Sequence, residues 1–361
     1  MIIKSLDLEN FRNYRSLHVD FDQKTNIFYG DNAQGKTNIL EAVYLGGTTK
    51  SHKGSKDRDM ISFSQEESHI RMLVQKGNLT RRIDMHLKKN KTKGIAVDGI
   101  PIKKAAELFG IVNLVFFSPE DLNIIKNGPS ERRRFMDLEL CQLDKIYLHN
   151  LTSYNKIILQ RNKLLKDIAF HPEWEETLDI WDMQLAGYGA KLIRRRKMFT
   201  RQLGELAGDI HAGLTGGKEQ LDIAYEPNVS PDALFDQLKR DRQKDIRYKM
   251  TCTGPHRDDF CISVHGVDIR KYGSQGQQRT AALTLKLSEI ELVRQLIKDT
   301  PVLLLDDVLS ELDGSRQNYL LNSIHDIQTL ITCTGLDEFI NNRFSINRIF
   351  RVEEGIVTTE N

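Results

Sequence analysis

Gly30-Asp31-Asn32-Ala33-Gln34-Gly35-Lys36-Thr37 decides the reading of this chain. It fits GxxxxGK[ST], the phosphate-binding P-loop, and it stands in the context that motif requires. The apolar run 25–29, which reads as a strand, comes directly before it, and the helical pattern 38–45 directly after. Gly30 and Gly35 permit backbone conformations and a close approach that side chains would block. Between them Asp31, Asn32, Ala33 and Gln34 carry loop amides that, with the helix N-terminus, face a phosphate chain. Lys36 places a point charge at the β- and γ-phosphates, and the Thr37 hydroxyl is a ligand for Mg²⁺. ATP with Mg²⁺ is therefore the expected ligand.

Working outward, the motif needs an acid at the end of another buried strand. Val302-Leu303-Leu304-Leu305-Asp306-Asp307 supplies one after a purely apolar run, as in a strand buried in a parallel sheet. Asp306 is expected to hold Mg²⁺, directly or through water, and Asp307 to polarise the attacking water. Two acids after a strand are also an ordinary helix start, so the pair gains its meaning from the P-loop.

Ser274-Gln275-Gly276-Gln277-Gln278-Arg279 opens a helical pattern, 277–298, thirty residues before Asp306. Alone it is a serine N-cap with glycine and glutamine in the first turn. It is similar to the signature motif of ABC-type ATPases, in which a serine hydroxyl and glycine amides form a second anion cradle. Ser310-Glu311-Leu312-Asp313 resembles the D-loop of the same class.

The rest of the 361 residues sets the frame. The length suggests about two domains, or one with a large insertion. Mean hydropathy is −0.44 and no long apolar run occurs, so a transmembrane helix is not expected. Lys4 and Asp7 interrupt the first apolar stretch, which excludes a signal-peptide core and makes the cytoplasm the default location. Cys141, Cys252, Cys261 and Cys333 are scattered, without CxxC pairs or histidines at zinc spacing, so neither a disulfide framework nor a zinc site is expected. Net charge is only +2. Residues 50–93, however, hold twelve Lys and Arg against five Asp and Glu. That fits a nucleic-acid-binding face and equally a solvated, lysine-rich hairpin.

Runs 2–8 and 17–21 read as strands, as do segments within 68–100, with turns at Lys76-Gly77-Asn78 and Asp98-Gly99. From about Ser130 the period becomes helical: Leu140, Leu143, Tyr147, Leu151, Tyr154 and Ile158 share a face. A longer stripe from Trp174 to Ile210 predicts a helix of about 55 Å, and the break at His171-Pro172 predicts an antiparallel hairpin. The aromatic and leucine stripe reads as packing. Strand patterns return at 221–225, 260–264, 301–305 and 329–333. The expected fold is α/β: an ABC-type P-loop ATPase head built from 1–120 and 246–361, with a mainly helical lobe inserted at 121–245.

Leu8-Glu9-Asn10-Phe11-Arg12-Asn13-Tyr14, Lys50-Ser51-His52, Ser55-Lys56-Asp57, Phe117-Ser118-Pro119-Glu120-Asp121, Arg132-Arg133-Arg134-Phe135, Gln160-Arg161-Asn162 and Thr253-Gly254-Pro255-His256-Arg257-Asp258-Asp259 follow in order along the chain. Together with the P-loop they resemble the RecF family of bacterial recombination-mediator ATPases. The resemblance runs from end to end. It implies a head related to the SMC family, in which the inserted lobe replaces the long coiled coil. It implies binding of single- and double-stranded DNA near gaps, cooperation with RecR, and help to RecO and RecR in placing RecA on strands coated with SSB. It implies an ATP-dependent homodimer in which Ser274, Gln275, Gly276 and Gln277 of one chain complete the ATP site of the other. Arg12 and Asn13, by the same resemblance, lie near the adenine and the phosphates.

Two departures from the wider ABC pattern point to slow hydrolysis. Asp307 stands where most members have glutamate, and Thr334 stands where a switch histidine is usual. For DNA the expected contacts are Lys53, Lys56, Arg58, Arg81 and Arg82, with the arginines of 132–134 and 194–196 and Lys197 as further candidates. A P-loop kinase of small molecules would need no signature motif, and a transporter ATPase usually carries a Q-loop glutamine that Phe117–Asp121 lacks. The reading is thus a weak DNA-dependent ATPase that acts as an ATP-gated clamp.

Overall fold

The structure, a computed structural model, describes residues 1–336 and 346–360. The chain divides into two compact units: Met1–Asp121 with Glu289–Asn361, and Leu122–Ser288. The second unit is thus wider than the lobe expected at 121–245. Residues 246–288, expected with the head, belong to it, and the helix Gln275–Ile297 contains the upper boundary.

Among the described residues the first unit holds two six-stranded sheets. One runs in the order Ile356–Glu360, Arg348–Glu353, Thr25–Tyr29, Thr329–Cys333, Val302–Asp306, Leu114–Phe117. All its pairs are parallel except the outer hairpin Arg348–Glu353 with Ile356–Glu360. Every residue of Val302–Asp306 and Thr329–Cys333 is buried, as central strands of a parallel sheet must be. The helix Lys36–Thr48 packs so closely that a Cβ on Gly47 would lie 2.5 Å from Leu114 Cδ1. Thr25–Tyr29 and Val302–Asp306 both run parallel to Thr329–Cys333 between them, so their carboxyl ends lie at one edge of the sheet, where doubly wound sheets carry ligands.

The other sheet is antiparallel, in the order Tyr14–Asp20, Ile2–Phe11, Glu67–Lys76, Leu79–Lys88, Lys91–Val97, Ile100–Pro101. Ile70, Met72 and Val74 face the core with Ile83, Met85 and Leu87, while the alternate residues His69, Arg71, Asp84 and His86 take the other face. Asp98 and Gly99 both have positive φ, 53° and 80°, as a tight two-residue hairpin requires.

In the second unit the single helical face expected over 140–158 is two helices, Pro129–Leu143 and Lys145–Asp167. Asp144 separates them: it leaves helical geometry, and its carboxylate accepts from the amides of Ile146 and Tyr147. Apolar spacing is blind to such a cap, because the stripe continues across it. The predicted 174–210 helix is Leu178–Thr215, preceded by a 3₁₀ turn over Pro172–Thr177 that leaves Trp174 half-exposed. The two long helices are antiparallel, since Tyr147 meets Arg196 while Arg161 meets Asp182.

Their interface is not purely apolar. Arg161, fully buried, donates to Asp182 (2.8 Å), Asp245 (2.7 Å) and Thr251 (2.9 Å). Arg196 donates to Tyr147, Asp137, Asp258 and the Pro255 carbonyl. An antiparallel three-stranded sheet, Val267–Asp268, Asp259–Val264 and Leu221–Glu226, adds β structure to a lobe expected to be mainly helical.

Candidate nucleotide-binding site

The P-loop is held open from its flanks. Gly30 has φ 146°, and a Cβ there would sit 2.3 Å from the Val352 carbonyl oxygen. Gly35 has φ 111°, and its Cβ would meet Asn13 Nδ2 at 2.3 Å. Asn13 is a brace: its Nδ2 donates to the Gln34 carbonyl (2.9 Å), and its Oδ1 accepts from Asn38 Nδ2 (2.8 Å). Tyr14 donates to the Gly35 carbonyl (3.0 Å), and the Glu354 amide donates to Gln34 Oε1 (2.6 Å). Tyr14, Val352 and Glu354 were not legible as site residues, because each touches the loop from another segment of the chain; Asn38, next to Thr37, shows its part only through its contact with Asn13.

Lys36 folds back on its own loop and donates to the carbonyls of Gly30 and Asp31, both at 2.7 Å. Burial lowers its pKa, while Asp307 and Asp306 oppose that shift. Phosphate oxygens are stronger acceptors than the two carbonyls and would take over the same ammonium.

Behind the loop the Thr37 hydroxyl donates to Asp306 Oδ1 at 2.7 Å. A second hydroxyl, that of Thr332, donates to the same oxygen at 2.7 Å. Oxygens on neighbouring corners of a Mg²⁺ octahedron lie about 2.8–3.0 Å apart for bonds of about 2.0–2.1 Å. The Thr37–Asp306 pair therefore fits Mg²⁺ in donor type and spacing. Thr332 was missed in the sequence because it stands within an apolar strand that reads as core.

Asp307 has φ 52°, a strained conformation for a side-chain-bearing residue. Its amide donates to the carbonyl (3.2 Å) and hydroxyl (3.1 Å) of Thr332, and Ser310 donates to its carbonyl (2.9 Å). Partial burial raises the Asp307 pKa. The Ser310 hydrogen bond opposes this and the adjacent Asp306 charge reinforces it.

Arg12 takes a different place from Asn13. Its Nε and Nη2 grip Glu41 (2.8 and 2.9 Å), Nη2 also donates to Ser55 (2.9 Å), and Nη1 donates to the Asp59 carbonyl (2.8 Å). Glu41 is buried on the P-loop helix. Burial would raise its pKa, but hydrogen bonds from Arg12 and Ser51 hold it below the usual range. In this arrangement Arg12 braces the helix, and Asn13 is the residue that touches the loop.

In the second unit Ser274 caps the helix Gln275–Ile297. Its hydroxyl accepts from the Gln277 amide (3.2 Å), and its own amide donates to Gln277 Oε1 (2.9 Å), a capping box. Gln277 Nε2 is held by Glu219 (3.0 Å). Ser274, Gln275 and Gly276 are exposed, and a Cβ on Gly276 would meet only the Ser274 hydroxyl oxygen, at 3.9 Å. The hydroxyl proton of Ser274 is not used in this cap.

Residues 2–358 match the family described as RecF/RecN/SMC N terminal domain. The DNA replication and repair protein RecF of Lachnospira eligens is 64% identical over 100% of both chains. The protein of that name from Clostridium perfringens is 44% identical over 98% of this chain and 99% of its own. The chain belongs to the RecF family. A solved structure of the recombination mediator protein RecF with ATP, in the RecFOR pathway, superposes with TM-score 0.93 at 37% identity, covering 99% of this chain and 97% of the other. The Smc head domain of Pyrococcus furiosus, at 15% identity and TM-score 0.57 over 99% of this chain and 95% of its own, shares the fold. This RecF-family chain thus has the ABC-type ATPase head fold of the SMC proteins.

The residues expected to meet DNA fall in two places. Lys53, Lys56 and Arg58 are exposed on the segment between the helix Lys36–Thr48 and the strand Glu67–Lys76, and Arg81 and Arg82 are exposed on Leu79–Lys88. The three arginines stand beside acids: Arg58 with Asp59 (3.5 Å), Arg81 with Asp98 (2.6 Å), Arg82 with Asp84 (2.8 Å). Among the described residues, no acid lies within ion-pair distance of Lys53 or Lys56. No helix of the described residues is long and apolar enough to cross a membrane.

Proposed function

We propose that this RecF-family chain is a weak, DNA-dependent ATPase of recombinational repair and replication restart, working in the cytoplasm. ATP draws two copies together on DNA near a single-strand gap, and slow hydrolysis releases them. With RecR it helps RecO and RecR to place RecA. The observation that carries the reading is the convergence of the Thr37 and Thr332 hydroxyls on Asp306 Oδ1 behind the glycine-framed loop. The relatives named as DNA replication and repair proteins, and the one solved with ATP, support the biological setting.

The mechanism rests on these side chains. Lys36 leaves the Gly30 and Asp31 carbonyls for the β- and γ-phosphates, while the loop amides cradle them. Mg²⁺, when bound, neutralises phosphate charge; Thr37 and Asp306 would hold it. Asp307 takes the proton of the attacking water, and its short side chain, with Thr334 where a switch histidine is usual, keeps that step slow. Ser274, with its unspent hydroxyl proton, and the Gly276 amide grip the γ-phosphate of the partner copy's nucleotide. ADP lacks that phosphate and does not bridge.

The test is steady-state ATP hydrolysis without DNA, with duplex and with gapped duplex, using Lys36→Ala as control. Stimulation by gapped DNA that vanishes in Lys36→Ala is expected. Turnover indifferent to every DNA would refute the clamp.

A further inference from the structure

The antiparallel sheet of the first unit carries a second set of ligating side chains that the nucleotide chemistry does not use. Its register lines up Glu9, His69 and His86 across three strands, since Glu9 pairs with His69 and His69 with His86. Glu67, two residues before His69, lies on the same face. The two imidazoles stack with centroids 3.9 Å apart and planes at 24°. His86 Nε2 is 2.9 Å from Glu67 Oε2. One ligating atom from each of Glu67, His69 and His86 lies within 4.8 Å of the others.

We propose that Glu67, His69 and His86 bind one divalent transition-metal ion of the zinc class. Two imidazoles and one carboxylate are a donor set that such ions prefer and that Mg²⁺, which seeks oxygen, does not. Bonds of about 2.0–2.2 Å put tetrahedral donors about 3.3 Å apart. The Glu67–His86 pair is already near that spacing. No pair need close by more than about 1.5 Å, which torsions of side chains at this partly exposed surface can supply. Binding displaces the His86 proton shared with Glu67 and the Lys88–Glu67 contact at 3.7 Å; both are partly exposed and weak.

Both histidines line a concavity of about 1100 Å³. On the far side of His86 the ladder partner is Gly94, with no side chain to cover the ring. Coordination positions not filled by the protein can thus be reached from this space, and Glu9, beside His69, offers a further carboxylate. Glu67 and His86 stand at the end of the hairpin opposite its Gly77 turn, so a bound ion would staple the strands where the turn does not. No cysteine takes part, and the ligands sit on the two arms of one hairpin, seventeen residues apart between His69 and His86, brought together by its register. Linear spacing therefore does not reveal the site.

The test is calorimetric titration of Zn²⁺ into the EDTA-stripped full chain, with excess Mg²⁺ throughout to occupy the Thr37–Asp306 site. Co²⁺ absorption reports the ligand set. One equivalent is expected, bound at least tenfold more weakly by His69→Ala and by His86→Gln. Zn²⁺ should also raise the melting temperature of the parent but not of the double variant. Equal melting temperatures in EDTA check that the variants fold. If the parent takes up no ion, or the double variant binds it as tightly as the parent, the site does not exist.

Discussion

Thr332→Val isolates one hydroxyl of the nucleotide site. Valine keeps the shape and the β-branched preference of the strand, so the buried Thr329–Cys333 strand is retained. What disappears is the 2.7 Å hydrogen bond to Asp306 Oδ1 and the side-chain half of the support for the Asp307 amide, which keeps its bond to the Thr332 carbonyl at 3.2 Å. A hydrogen bond to a charged group is worth roughly 1.5–3 kcal/mol. Asp306 retains Thr37, so the carboxylate loses one of two constraints and its orientation toward the metal loosens. Losing a partner that orients a metal ligand lowers affinity or activity by about 10–100-fold. The assay is ATP hydrolysis as a function of Mg²⁺, beside calorimetric binding of ATP with Mg²⁺ and with EDTA. The half-saturating Mg²⁺ concentration should rise by about tenfold or more, metal-free nucleotide binding should hardly change, and Thr332→Ser should restore the parent behaviour. An unchanged Mg²⁺ dependence in a folded Thr332→Val protein would refute the positioning role.

Asp307→Asn should lower turnover by at least about 10²-fold while nucleotide binding persists. Because the folded state raises the Asp307 pKa, its carboxylate is a burden at neutral pH; the variant should melt higher there, and the gain should vanish as pH falls into the ordinary carboxylate range. Lys53→Ala with Lys56→Ala should cut the log–log salt slope of DNA affinity by about two, whereas Arg81 and Arg82, already faced by Asp98 and Asp84, should matter less; an unchanged slope moves the DNA face elsewhere. Ser274→Arg should bind ATP yet stay monomeric by light scattering when the parent dimerises with ATP and not with ADP; a variant that dimerises like the parent would reduce the motif to a helix cap. His256 should limit acid stability: burial lowers its pKa to about 4, with Nε2–H donated to the Thr251 carbonyl and Nδ1 accepting from Tyr154. A depressed pKa means full stability above about pH 6.5 and a loss of roughly 1.4 kcal/mol per pH unit from there toward 4. Denaturant unfolding of His256→Gln should lack that limb.

The P-loop, its flanking strand and helix, and the Asp306-Asp307 pair were legible because their information is local. A glycine-framed turn between strand and helix needs no distant partner to be recognised, and a five-residue apolar run has few places to go except the middle of a parallel sheet. The long helices were legible from period alone, but not the Asp144 cap that divides one of them, nor the buried charges of Arg161 and Arg196 that sit among the apolar residues of their shared face. Spacing records where side chains point and is silent on what meets them.

By itself, then, the chain's order determined an ABC-type head of the RecF kind, with its phosphate loop and paired acids. Only the tertiary structure decided that Asn13 rather than Arg12 braces the loop, that Thr332 holds Asp306, and that His69 lies against His86. In each case the deciding contact joins segments far apart in sequence or on different strands. Such contacts are selected by sheet register and helix packing, which depend on the whole chain, whereas a motif depends only on its neighbours.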